Sequence, residues 1–266
     1  MRRHRLREVR QAAGKNQTEV AAAVGVDRTT LGKWERGEST PAPRQRQALA
    51  LALGITLSEL HAMLSSLPVE DDQAPMSLKL ALAVEQAATH IRSHVLSVVN
   101  GLLQTPDYAA EIARSVGTSE TGEDYVQRNV DQRRHRQRRV HDGHVELHVI
   151  QPEGSLRSQL GAPAVMVEQM RHLLEVAELG TVTIQVMPFS CGQYEAQRVG
   201  TFALHTLPIG GTMVDLSGYE GIQMIDDADE VAYFLDAFEH AGRLALSPSA
   251  SVEFIHTLKT DWESQT

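Results

Sequence analysis

Apolar residues in the first sixty positions recur at three- and four-residue intervals and stop at glycines, which predicts a run of short helices. Residues 3–13 read as the first, with Leu6, Val9 and Arg10 at helical spacing and Gly14 placed to end it in the left-handed conformation. Asn16 stands ahead of a second helix with Glu19 three residues on, the pattern of a reciprocal capping box. Val20, Ala21 and Val24 give that helix its apolar face, Gly25 breaks it, and Val26 plugs the turn. Asp27 then caps a third helix through Thr30, Leu31 and Trp34, which Gly37 stops. Helices over 44–53 and 57–64, the former ended by Gly54, complete a five-helix bundle. Their expected core is Ala48, Leu49, Leu51, Ala52, Ile55, Leu57 and Leu60.

Past residue 64 the pattern changes. Residues 65–77 mix proline, serine and acidic residues, a linker composition. A helix is expected over 78–102, on Leu80, Val84, Ala87, Ala88, Ile91, Val95 and Leu96. Pro106 can open another at its first turn. After a polar loop with Gly117 and Gly122, residues 123–141 read as a strongly basic helix. Short β-rich runs follow at 145–150 and 182–187, with a helix over 164–178 between them. Runs 201–207 and 212–217 flank Pro208-Ile209-Gly210-Gly211, a hairpin turn, and a last amphipathic helix covers 228–246. The expected fold is α+β overall: an all-α five-helix bundle, then a mostly helical α+β domain with a small sheet. The expected division is 1–66 for the bundle, 67–77 for the linker, 78–258 for the second domain and 259–266 for a tail.

Composition is ordinary for a globular chain, with 42% hydrophobic and 22% charged residues, which argues against wholesale disorder. The net charge of −9 alone argues against a nucleic-acid partner, but it averages two unlike parts. The first 64 residues hold 11 Lys and Arg against 6 Asp and Glu, leaving 14 against 28 for the rest. A basic module on an acidic body fits a local nucleic-acid patch, with the body repelling non-specific contact. No apolar run is long enough for a bilayer and no cleavable leader is visible, so a cytoplasmic protein with no membrane association is expected. The single cysteine, Cys191, excludes an internal disulfide and suits a reducing compartment.

Two short helices joined by a glycine turn, the second beginning with small and basic residues, have the layout of a helix-turn-helix whose second helix enters the major groove. The expected base contacts are Arg28, Thr29 and Lys33: the two cations suit the acceptors of guanine, and the threonine methyl suits thymine. The expected phosphate contacts are Gln17 beside the free amides of a helix start, Thr30, Arg36 and Arg44. Plain solvated charge is the alternative for Arg28 and Lys33, and helix capping for Thr30. Trp34 is expected in the core rather than stacked on a base. One such module makes few base contacts, so a homodimer on a palindromic operator is the expected route to affinity.

This segment resembles the Cro/phage-repressor-like helix-turn-helix family, often called XRE, over about residues 3–64. The matching features are Gln17, Ala21, Gly25, Val26, Leu31, the Trp34-Glu35-Arg36-Gly37 ending and Pro41. The resemblance implies a lambda-repressor-like bundle, double-stranded DNA as partner, and a structural ion pair between Arg10 and Glu35. Residues 78–257 resemble the C-terminal domain family of unknown function numbered 5753, which follows the same helix-turn-helix in many actinobacterial regulators. The carrying residues are Asn100 through Ala109, Arg133-x-x-Arg136-Gln137, Met166 with Glu168-Gln169 and Leu173-Leu174, Gln185 through Phe189, and Gly200-Thr201-Phe202. Where that family has an acidic residue near the end of the fourth strand, this chain has Ser217. The resemblance implies a regulator working with a separate effector, such as a small acidic protein.

Arg133, Arg134, Arg136, Arg138 and Arg139 crowd the basic helix. They fit three uses: a solvated or internally paired face, a dock for an acidic partner, or a second nucleic-acid surface. His135, His141, His144 and His148 cluster without zinc-site spacing, and neither a metal nor a cofactor is expected. Gly210-Gly211 lacks the rest of a phosphate loop, and Ser190-Cys191-Gly192 reads as a loop rather than a nucleophile turn. Asp226, Asp227, Asp229 and Glu230 suit the positive end of the last helix. No acid–base or nucleophile set points to an enzyme. The expectation is a DNA-binding transcription regulator whose second domain senses a partner protein or ligand. The competing readings are a DNA-targeted enzyme with a cryptic site and an antitoxin-like interaction protein.

Overall fold

The computed structural model describes residues 4–36, 39, 41–56, 60, 76–115, 122–208, 211–218 and 221–266. The N-terminal unit has helices α1 (His4–Ala12), α2 (Gln17–Val24), α3 (Arg28–Arg36) and α4 (Pro43–Leu53). Local chemistry explains the boundaries. Asn16 accepts from the Glu19 amide while the Glu19 carboxylate accepts from the Asn16 amide, at 3.0 and 2.7 Å. Gly25 ends α2 at φ +73°, a conformation a side chain would strain, and so turns the chain tightly into α3. Leu6, Val20, Ala21, Leu31, Trp34, Leu49 and Leu53 close the core, and the Leu60 side chain joins them fully buried. Leu51 departs from expectation: it is 74% exposed, because α4 turns Leu49, Ala50, Ala52 and Leu53 inward instead. Gly37 and most of the expected fifth helix over 57–64 lie outside the described residues.

The second part runs α5 (Met76–Ala87), β1 (His90–His94), a 3-10 turn (Gly101–Leu103), α6 (Pro106–Ser115), α7 (Glu123–His141) and β2 (Glu146–Pro152). Then come α8 (Glu153–Arg157), α9 (Pro163–Ala177), β3 (Val182–Met187), a 3-10 turn (Phe189–Cys191) and α10 (Glu195–Val199). The chain closes with β4 (Thr201–Thr206), β5 (Thr212–Gly218), β6 (Gly221–Ile225), α11 (Ala228–Leu244) and α12 (Pro248–Glu263). The six strands form one mixed sheet in the order β3-β2-β1-β4-β5-β6. β1, β2 and β3 are parallel neighbours, and β1, β4, β5 and β6 pair antiparallel in turn. Alternation places successive side chains on opposite faces. Leu147, Val149, Ile184 and Val186 meet residues of α5, α6, α9 and α12. On the other face Ile150, Phe202, Leu204 and Val214 meet Val231, Phe234 and Phe238 of α11. The fold is α+β, with the sheet covered by helices on both sides.

Three sequence expectations change here. The helix expected over 78–102 stops at Ala87, and residues 90–94 form a central strand instead. Ile91 does fit the helical spacing, but pairing with β2 and β4 decides the outcome. That strand makes 212–218 the fifth strand, with Ser217 near its end. The stretch expected as a tail from 259 continues α12, and Trp262 is buried with its indole N–H donating to the Leu156 carbonyl at 3.2 Å. Residues 76 and 77, expected in the linker, open α5.

Candidate nucleic-acid interface

α3 is fastened from beneath. Leu31, Trp34 and Glu35 are buried, and Glu35 receives Arg10 from α1 (Nε to Oε1 2.6 Å, Nη2 to Oε2 3.3 Å). Arg10 also donates to the Lys15 carbonyl at 2.8 Å. A bidentate interior pair of this kind fixes the angle between α1 and α3 more than it adds stability. Gln17 extends the chain of contacts. Its amide donates to Glu35 Oε2 at 2.8 Å, and its oxygen accepts from Arg28 Nε at 3.2 Å.

The opposite face of α3 is open. Arg28, Thr29, Lys33 and Arg36 are exposed. Thr29, Lys33 and Arg36 fall at four- and three-residue spacing, so they share one stripe with Arg28 at the helix start. The Arg36 guanidinium folds back over Gly32, where an added Cβ would sit 3.1 Å from Nη1. Asp27 caps the helix, accepting from the Thr30 amide at 2.8 Å, from the Thr30 hydroxyl at 2.7 Å and from the Thr29 hydroxyl. Those side-chain hydrogen bonds, Thr29 first, hold the Asp27 carboxyl well below the usual aspartate range. Thr30 is thus engaged in the cap. Arg44 is the second residue of α4, and its side chain lies outside the described residues.

The basic helix α7 divides its arginines. Arg134 and Arg138 are exposed. Arg136 grips Glu85 of α5 with both prongs, at 2.7 and 2.6 Å, the two side chains only 15% and 11% exposed. Burial raises the Glu85 carboxyl, but the charge and hydrogen bonds of Arg136 outweigh it and hold it below its ordinary value. Arg139 donates to the Glu85 and Ala88 carbonyls at 3.0 and 2.8 Å, closing the end of α5. Arg133 lies against Gly101, where a Cβ would come within 2.9 Å of Nη1. Burial, and then the neighbouring Arg136, push Arg133 down to about 10.

Most of the polar motif residues of this part serve the fold. Asn100 donates its backbone N–H to the side-chain oxygen of Gln151 at 3.1 Å and its side-chain amide to the Ser93 hydroxyl at 2.8 Å. Gln137 donates to the Gln104 carbonyl at 2.7 Å, and Gln169 clamps the same loop at Leu103 and Thr105, at 2.7 and 2.8 Å. These glutamines satisfy backbone groups of a buried loop that its single 3-10 turn leaves over. The four clustered histidines do not converge. His141 meets His172 of α9, while His148 bonds Gln185 and packs edge-on to Phe238 of α11. Among the described residues no group of three or more His, Cys, Asp or Glu is placed to hold a metal ion, and no helix is long and apolar enough to cross a membrane. Burial pushes the Cys191 thiol up, away from the thiolate form. Asp227 caps α11 through the Asp229 and Glu230 amides, both at 3.1 Å. Sequence reasoning missed His205, whose Nε2 meets Asp215 Oδ2 at 2.6 Å across β4 and β5; the two are ten positions apart with no motif to join them.

A family model described as Helix-turn-helix matches residues 6–60. A second, described as a domain of unknown function, DUF5753, matches residues 78–257. No curated protein matches the chain.

Proposed function

The chain belongs to the DUF5753 family and carries an XRE-type, DNA-binding helix-turn-helix ahead of that domain, and from this premise we propose a sequence-specific transcription regulator. It binds a double-stranded operator as a homodimer in the cytoplasm, with α3 in the major groove. Arg28, Thr29 and Lys33 read base edges. Gln17, Arg36 and Arg44 hold phosphates and set the register, while Thr30, first expected among them, stays in the Asp27 cap. The DUF5753 domain is the non-enzymatic sensing half, answering a ligand or a partner protein, and the exposed Arg134 and Arg138 are the arginines left for an acidic partner.

One observation carries the reading. The recognition helix is buried and ion-paired on one side and presents Arg28, Thr29 and Lys33 to solvent on the other. Gln17 supports it: the contact with Arg28 ties the start of α2 to the start of α3, so the phosphate and base contacts move as one body.

The test selects operators from random duplexes with the full chain, then compares Arg28→Ala on the selected and a scrambled duplex by fluorescence anisotropy. Specific binding weakens by about 1–3 kcal/mol and selectivity at one base pair relaxes. Equal losses on both duplexes would reassign Arg28 to the backbone.

A further inference from the structure

One face of the sheet interrupts its apolar layer with charge. Where β1, β4 and β5 run side by side, Ser93 stands opposite Ala203, and Ala203 opposite Asp215. These are small or polar side chains on a face otherwise built from valine, leucine, isoleucine and methionine. His205, 1% exposed, holds Asp215 from the same face. The Glu85–Arg136 pair lies beside them: the Asp215 charge acts on Arg136, and His205 acts on Glu85. Arg133, one turn ahead of Arg136 on α7, brings a second guanidinium against Gly101.

The hydrogen bonds of this cluster do not balance. Arg136 takes both oxygens of Glu85, and His205 takes one oxygen of Asp215. A guanidinium has five donors. Arg133 finds no hydrogen-bond acceptor among the described residues; it is half-buried, between the like charge of Arg136 and the opposite charge of Glu85, and its nitrogens are not sealed from solvent, so its donors are open to a ligand. The second oxygen of Asp215 is open, its side chain 18% exposed, and Ser217 follows two positions along the same face.

We propose that this cluster is a binding site for a small organic anion bearing a carboxylate or phosphate. Arg133 grips the anionic group with its planar fork. Arg136, locked by Glu85, is the fixed positive wall beside it, and the open oxygen of Asp215 accepts from a hydroxyl or amine of the same molecule. Gly101 leaves the room Arg133 needs. The inference deepens the sensing half of the proposed function, and its test uses no DNA, so the two stand or fall separately.

The full chain is unfolded thermally at constant ionic strength while inorganic phosphate, and in a second series succinate, replaces sodium chloride. The melting temperature rises saturably with at least one probe, and the tighter probe tells phosphate from carboxylate. Arg128→Gln, which removes the same charge from an exposed position of α7, keeps the response. Arg133→Gln weakens the apparent affinity tenfold or more and melts close to the wild-type temperature without probe, because Arg133 makes no hydrogen bond to the described residues. Gly101→Ala, which displaces the guanidinium and leaves the charge, also loses the response. No saturable response beyond that of chloride, an undiminished response in both variants, or a probe-free Arg133→Gln that is markedly destabilised would each overturn the proposal.

Discussion

Arg10 and Glu35 show what one pair of side chains can set. They stand 25 positions apart, and each would be a desolvated charge without the other. Removing one partner leaves the other buried and unpaired, so Arg10→Ala should destabilise the N-terminal unit by about 3–5 kcal/mol in denaturant unfolding. Replacing both with apolar residues should recover much of that loss while weakening operator binding, because the angle of α3 is no longer fixed. Asp27 makes a pH-dependent contribution. Its carboxyl is held below the ordinary value of 3.8 by the hydroxyls of Thr29 and Thr30. A depressed carboxylate stabilises fully above its unfolded pKa and loses that contribution as pH falls through the lower folded one. Asp27→Ala should therefore lower the melting temperature near neutral pH, and its gap from wild type should close as the solution is acidified below pH 3.8. The caps were legible in the sequence because they act within three residues. The Arg10–Glu35 pair was not legible from spacing at all, and only the family resemblance pointed to it.

Elements show where local pattern stops being enough. α2 and α3 were readable because Asn16, Glu19, Gly25 and Asp27 punctuate them directly. β1 was not: Ile91 and Val95 continue a helical spacing from Val84 and Ala88, and the strand exists because β2 and β4 lie on either side. α12 carried a signal that reading passed over, Ser247 capping ahead of Pro248 and then Ile255, Leu258 and Trp262 on one side. Leu51 had the right chemistry for a core and the wrong face of α4. The loop from Val99 to Thr105 depends on Gln137 and Gln169 from two different helices. Gln137→Ala should cost about 1–3 kcal/mol, since it strips the Gln104 carbonyl of its buried donor. Hydrogen exchange would place the loss in this loop and in α6, with the N-terminal unit unchanged.

For the whole molecule, the charge split mattered more than the total. An acidic chain with a basic first quarter can bind DNA through one module and shed non-specific contact through the rest. The charged cluster around Glu85, Arg136, Asp215 and His205 was invisible at this scale in the sequence, because α5, α7, β4 and β5 bring together residues from distant segments. A dimer reading a two-fold site implies half-site centres one helical turn, or a multiple of it, apart, and a selected operator with matching symmetry, which footprinting would read. The most direct measurement is binding of the full chain to its selected operator and to a scrambled duplex over a salt series. The account expects operator binding that survives excess scrambled competitor and weakens steeply with salt, with a log–log slope on the order of −4 or steeper for a dimer with several cations on phosphates. Equal affinity for both duplexes at every salt concentration would contradict it.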